Sequence, residues 1–409
     1  MQRVRISLPF FNLYGWDAEV VTVDEKYAEM VRDNLLMESV PSDITIHKVK
    51  AFNKKWTSKL GLGSIGLRSL YYYLKKVNSL LKKNNYDLIY FSTTQFPVCI
   101  LGAYWKKKFK IPYVIDMQDP WYSTYYDDKP KEQRPPKYWF SQRINKYLEP
   151  IAIKNVNGLI SVSENYISDL KQRYPIIKNI PEAIITFGSF KKDVDIALNH
   201  SGEFIPILLP DFINIVYIGR GGNDMHKAIE PVFKALKAGL NTNHEQFKKL
   251  KFYFIGTSYA ASGKGIPTIK PLANFYGIGE QVIEITDRIP YYHTLNTLMA
   301  ADALFIPGSD DPQYSASKIY PYLLTQKPLL AIFNENSNAV DTLLRCALYA
   351  NIFTFGKDEF QKSEALINLM LDWSNREFAP IETTDYFENF SASNLTLKQT
   401  ELFLNSLKN

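Results

Sequence analysis

Apolar runs rich in β-branched residues alternate along this chain with longer amphipathic stretches. The runs predict strands at Ala18–Val23, Asp87–Phe91, Tyr113–Asp116, Gly158–Val162, Ala183–Thr186, Ile213–Ile218, Lys251–Gly256, Val282–Ile285, Ala303–Pro307 and Leu329–Ile332. Helical spacing between them predicts helices at Leu67–Lys83, His226–Ala238, Tyr291–Ala300 and Ser317–Leu324. Short continuous apolar strands separated by helices imply parallel sheets covered on both faces. The alternation occurs twice, over residues 1–190 and 213–375. An irregular linker, 191–212, holds Lys191, Lys192, Pro206 and Pro210. A tail, 376–409, ends in an amphipathic helix, Leu395–Leu407, expected to pack back on the first domain. The expected fold is α/β: two doubly wound Rossmann-like domains facing across a cleft. A length of 409 residues suits that division.

Composition narrows the class. Hydrophobic content of 46% with 22% charge is ordinary for a globular chain, and 19 Gly with 22 Pro show no period. Two cysteines, Cys99 and Cys346, build neither a disulfide framework nor a four-thiolate zinc site, which favours a reducing compartment. The longest apolar stretch, near 204–219, is broken by Pro206, Pro210, Asp211 and Asn214, too short for a clean membrane span. Met1–Arg5 lacks the apolar core of a signal peptide. The expected location is the cytoplasm.

Charge is uneven. Residues 1–190 carry 28 Lys+Arg against 18 Asp+Glu, and residues 51–110 carry 12 against Asp87 alone. Aromatic residues interleave with those bases, among them Trp56, Tyr71–Tyr73, Tyr104 and Trp105. Such a stretch fits an anionic lipid surface and also fits nucleic acid; a solvated helix face explains it equally.

In doubly wound sheets, ligands bind beyond the C-terminal ends of strands. Three strand ends carry candidate chemistry. After Ile213–Ile218 the chain reads Gly219-Arg220-Gly221-Gly222-Asn223-Asp224-Met225-His226-Lys227, then a helix. Glycines admit a ligand close to the backbone, a helix N-terminus offers free N–H groups, and Arg220 and Lys227 add charge, a combination suited to a diphosphate; a glycine turn with surface bases is the alternative. It is neither a Walker loop nor G-x-G-x-x-G. After Ala303–Pro307, a polar loop runs from Gly308 through Gln313, Tyr314, Ser315 and Ser317 to Lys318, a second anion pocket. After Tyr113–Asp116 come Gln118, Asp119, Pro120 and Trp121, where Asp119 is a candidate cleft carboxylate; a helix cap or turn acid explains it equally. The five histidines have no ligand spacing, and no metal or cofactor is expected.

In this order the sites resemble the two-domain B-type glycosyltransferases (GT-B), especially the glycosyltransferase family 4-like sugar transferases. The resemblance is carried by Tyr217-Ile218-Gly219-Arg220 with Lys227, Phe254-Ile255-Gly256-Thr257, Arg288-Ile289-Pro290-Tyr291, Ala301–Pro307, Ser317-Lys318-Ile319-Tyr320 and Lys327-Pro328-Leu329, and by Asp116–Trp121 and Ile160–Glu164 in the first half. It implies donor binding by Gly219, Arg220, Gly221, Lys227, Arg288, Gln313, Tyr314, Ser315, Ser317 and Lys318. It places Gln118 and Trp121 on the acceptor side and leaves Asp119 for acceptor orientation or base work. Two family glutamates are replaced here by Gln313 and Pro321. The family's first strand and glycine loop have no counterpart before Gln2, so the first domain is expected to lack its N-terminal strand, with Gly15 capping the first helix. The insert Tyr122–Pro150 is expected over the acceptor side; a surface loop explains it as well.

The resemblance thus implies sugar transfer, with retention, from a nucleotide diphosphate sugar to a lipid-linked or polysaccharide acceptor in bacterial surface polysaccharide biosynthesis. Peripheral membrane contact is expected through residues 51–110 at the inner membrane surface, and nucleic acid is not an expected partner. The alternative is a non-catalytic member that binds nucleotide or glycan; a nucleic-acid-binding protein is the third reading.

Overall fold

A computed structural model describes residues 2–28, 33–122, 138–311, 319–356 and 359–408. The chain forms two compact units. The first takes Met1–Val31, Val40–Phe187 and Ala392–Asn409; the second takes Arg32–Ser39 and Gly188–Ser391.

In the second unit the strands are β7 (Ile213–Ile218), β8 (Leu250–Ile255), β9 (Val282–Ile285), β10 (Ala303–Pro307), β11 (Leu329–Asn334) and β13 (Asn351–Phe355), with two-residue strands β12 (Ala347–Leu348) and β14 (Glu382–Thr383) paired to each other. The main sheet is parallel throughout, in the order β13-β11-β10-β7-β8-β9. Its central strands β7, β10 and β11 are apolar and buried nearly end to end, as covering both faces requires. The order reverses between β7 and β10, the topological switch point where such sheets open a crevice at their carboxyl ends. Helices His226–Thr242, Tyr291–Ala300 and Glu359–Ser374 lie between strands in the chain. The first of these buries Ala228, Ile229, Val232, Phe233 and Leu236 against the sheet.

The first unit contains β1 (Glu19–Val23), β2 (Thr45–Val49), β3 (Ile89–Ser92), β4 (Tyr113–Met117), β5 (Gly158–Ser161) and β6 (Glu182–Ile184). Here the parallel strands fall into two groups. β1 pairs with β2, and a separate sheet runs β3-β4-β5-β6; among the described residues no ladder joins β1 to β3. Both groups bear on shared cores through side chains such as Val20 and Val21. The first helix is shorter than expected. It spans Gln2–Ser7, because Pro9, with no N–H, turns the chain into two 3₁₀ turns that end at Gly15 with φ +77°. Helix Ala392–Leu407 belongs to this unit, burying Leu395, Leu402 and Phe403 against Leu8, Phe11, Val114 and Ile160.

Candidate functional site

The switch point of the second unit brings the turn after β7 to the start of the loop after β10, Gly308–Asp311. β7 ends at Ile218, and Gly219 N donates to Ile255 O (2.9 Å) while Gly221 N donates to Thr257 O (2.8 Å), extending the β7–β8 ladder into the turn. A side chain at Gly219 would collide with the Tyr217 hydroxyl, which donates to Arg220 O (3.0 Å) and fixes the turn. Arg220 points into a two-pronged ion pair: Nη1 donates to Asp224 Oδ1 (3.0 Å) and Nη2 to Asp224 Oδ2 (2.6 Å). Any Cβ at Gly222 would strike the same carboxylate.

Asp224 also reaches the loop after β10. Its Oδ2 accepts from Ser309 Oγ (2.6 Å), and its backbone O accepts from Asp310 N (2.8 Å). One residue therefore joins the β7 turn to the β10 loop. Burial pushes the Asp224 carboxyl up, but the Arg220 guanidinium and Ser309 hydroxyl outweigh it and hold it below the ordinary carboxylate range. Sequence reasoning assigned no role to Asp224 or Ser309, although an acid four residues after an arginine is the spacing at which side chains meet across a helical turn.

The remaining predicted residues fall in different settings. Lys227 is exposed on the first turn of helix His226–Thr242, while His226 contacts Thr268 O (3.0 Å). Arg288 is exposed after β9 and lies over the Tyr259 ring at 3.8 Å from its centre. On β9, Glu284 accepts the Thr257 hydroxyl (2.8 Å) and the backbone N–H groups of Thr268, Ile269 and Lys270, tying the loop after β8 to β9. Gln313, Tyr314, Ser315, Ser317 and Lys318 lie outside the described residues. The helix predicted from Ser317 is described as Ile319–Leu324, with Pro321 in its first turn.

In the first unit, Gln118 and Trp121 are not open contacts. Trp121 is buried, stacked on Phe96 at 5.5 Å, with its indole N–H on Asn145 Oδ1 (3.1 Å). Gln118 is buried with Nε2 on Ser92 Oγ (2.8 Å) and Asp116 Oδ2 (2.9 Å). Both belong to the packing that shapes the end of β4. Asp119, two residues beyond that strand, is exposed, and the protein mass around it pushes its carboxyl above the ordinary value. The neighbouring Asp116, unremarked as chemistry in the sequence, is fully buried. Its Oδ2 takes Arg3 Nε (2.6 Å), Tyr90 OH (3.1 Å) and Ser92 Oγ (2.9 Å). Among the described residues, no group of three His, Cys, Asp or Glu side chains is placed to hold a metal ion, and no helix is long and apolar enough to cross a membrane.

Chemically, the switch point offers a fixed guanidinium, a helix N-terminus and Lys227, all suited to an anion with spread charge. No protein-family model matches the sequence, and no curated protein matches it. Solved structures do match its fold along nearly the whole chain. HepE of Anabaena, in complex with UDP, is 14% identical with a TM-score of 0.54, covering 98% of this chain and 95% of that one. A glycosyltransferase from Rickettsia africae ESF-5 is 12% identical with a TM-score of 0.54, covering 100% and 94%. WaaG, a glycosyltransferase involved in lipopolysaccharide biosynthesis, is 14% identical with a TM-score of 0.51, covering 98% and 94%. The chain therefore has the two-domain B-type glycosyltransferase fold, built from two Rossmann-like units.

Proposed function

We propose that this chain is a glycosyltransferase that takes a sugar from a nucleoside diphosphate sugar. The observation that carries the reading is the joining of the β7 turn to the β10 loop at the switch point, where Asp224 holds Arg220 and Ser309 together. Cleaving a sugar–phosphate bond builds negative charge on the departing diphosphate, and cations already in place stabilise that charge without reorganising. Arg220, Lys227 and Lys318 supply the cations, and Ser315 and Ser317 join them in holding the diphosphate. Arg288 and Gln313 bind the rest of the donor together with Gly219 and Tyr314. HepE has been solved with UDP and with UDP and glucose, which supports a nucleotide sugar as the partner here.

The acceptor is a lipid-linked or polysaccharide chain, transfer retains the anomeric configuration, and the pathway builds bacterial surface polysaccharide at the inner membrane face. The basic, aromatic stretch 51–110 supports the membrane contact. Asp119 orients or deprotonates the acceptor hydroxyl. Its raised pKa suits a base, since proton transfer works best when the base titrates closer to the working pH.

Calorimetry against a panel of nucleoside diphosphates tests the reading. Arg220→Ala should weaken the best ligand about tenfold or more, the effect of losing charge-assisted hydrogen bonds. Unchanged affinity in Arg220→Ala and Lys318→Ala sinks the site. Asp119→Asn should leave nucleotide binding intact and lower turnover. A second reading, nucleotide binding without turnover, is favoured by Gln313 and Pro321 standing where the resembling family carries glutamates. Tight binding with neither transfer nor donor hydrolysis would decide for it.

A further inference from the structure

Helix Tyr138–Ile153 of the first unit turns an unusual face outward. Trp139, Arg143, Tyr147 and Ile151 recur every four residues and so form one stripe. The stripe is open: Trp139 is 64% exposed, Tyr147 75% and Ile151 49%, with Arg143 exposed as well. The opposite side is spent on the core, through Ala152 and Ile153 and through Glu149, which is buried against Arg173 and Tyr174. Glu149 is the only acid on the helix, so every exposed charge along it is positive: Arg143, Lys146 and, just beyond, Lys154. The Arg143 guanidinium lies 5.7 Å from the Trp139 ring centre, keeping cation and aromatic side by side.

The same helix meets the segment 52–61. The Phe140 ring lies directly against Gly61, which has φ +76° and leaves that ring its space. That segment is also basic and aromatic, with Trp56 73% exposed beside Lys54, Lys55 and Lys59 and no acid. A soluble surface seldom gathers this much apolar side chain without a partner. Trp and Tyr favour the boundary between water and hydrocarbon, and bases flanking them match anionic headgroups.

We infer that this stripe, with the adjoining 52–59 segment, is the surface by which the protein docks on an anionic lipid bilayer. The inference rests on and deepens the membrane contact proposed above for residues 51–110, keeping its 52–59 segment and moving its centre to helix Tyr138–Ile153.

Co-sedimentation of the full chain with phosphatidylcholine vesicles, with and without phosphatidylglycerol, tests it. Vesicles carry neither donor nor acceptor, so the result is independent of catalysis, and loss of nucleotide binding would leave it untouched. Wild-type protein should partition to the anionic vesicles only. Tyr147→Ser and Arg143→Glu, both at exposed positions and with folding checked by circular dichroism, should each lower partitioning about fivefold or more. Lys107→Glu with Lys108→Glu, on helix Ile100–Phe109, should lower it less than Arg143→Glu alone. The proposal is overturned if the two stripe variants partition like wild type, if the 107/108 variant has the larger effect, or if the stripe variants change only self-association on gel filtration.

Discussion

Each unit holds an arginine–aspartate pair at the carboxyl end of a parallel strand, and the two pairs live in different worlds. Arg3 and Asp116 at the end of β4 are almost fully buried, and Arg3 uses its remaining donors on Ile185 O (2.6 Å) and Thr186 O (3.1 Å). Arg220 and Asp224, just after β7, keep 26% and 33% of their side-chain surface in contact with solvent. A buried pair ties distant pieces together: here the first helix, β4 and the segment after β6. A half-exposed pair holds a charge ready while leaving it reachable. The same two residue types serve as a fastener in one unit and as a bearing for a ligand site in the other.

The largest effect should come from breaking the buried pair. Asp116→Ala leaves Arg3 uncompensated in the core and should lower stability by about 3–5 kcal/mol in urea unfolding. Replacing both partners with apolar residues of similar volume, Arg3→Met with Asp116→Leu, should lose less than the single change. Asp224→Asn should stay within about 1 kcal/mol of wild type, as partly exposed pairs do, while nucleoside diphosphate affinity falls. Equal destabilisation by Asp116→Ala and Asp224→Asn would break the comparison. Because Asp224 titrates below its unfolded value of about 3.9, its contribution is present above that pH and lost as the pH falls through the folded value, a loss absent from Asp224→Asn.

The smallest effect belongs to a third pair, at the surface. His200 lies between Glu203 (2.7 Å) and Glu38 (3.0 Å), which raise its pKa in that order. Its contribution is therefore full below about pH 6.5 and fades as the pH rises through the raised value. Amide exchange in residues 33–39 should quicken over that window in wild type and not in Glu38→Gln.

Much of the architecture was legible because burial leaves a simple mark. β7, β9 and β10 and helix Tyr291–Ala300 follow from apolar runs and helical spacing to the residue. β2 and β13 escaped because they are edge strands, half-open, whose polar positions interrupt the run. The membership of 33–39 in the second unit escaped for another reason. It rests on partners far along the chain, such as Asp33 with Tyr292 N (3.3 Å) and Leu35 and Leu36 packed near Tyr292 and Leu295. At the candidate site the glycines, Arg220 and Lys227 were readable as local chemistry. The grip of Asp224 on the β10 loop was not, since Ser309 lies 85 residues away. Nor could spacing tell that Trp121 would turn inward onto Phe96 rather than face a ligand.

Helix Ala392–Leu407 sets an order of events during synthesis. Its Leu395, Leu402 and Phe403 fill the core around Val114 and Ile160, and Ser406 sits against Gly158. All residues of the second unit precede this helix in the chain. The first unit must therefore wait, with part of its interior unfilled, until helix Ala392–Leu407 emerges, which reverses the usual sequence in which an earlier domain matures ahead of its successor.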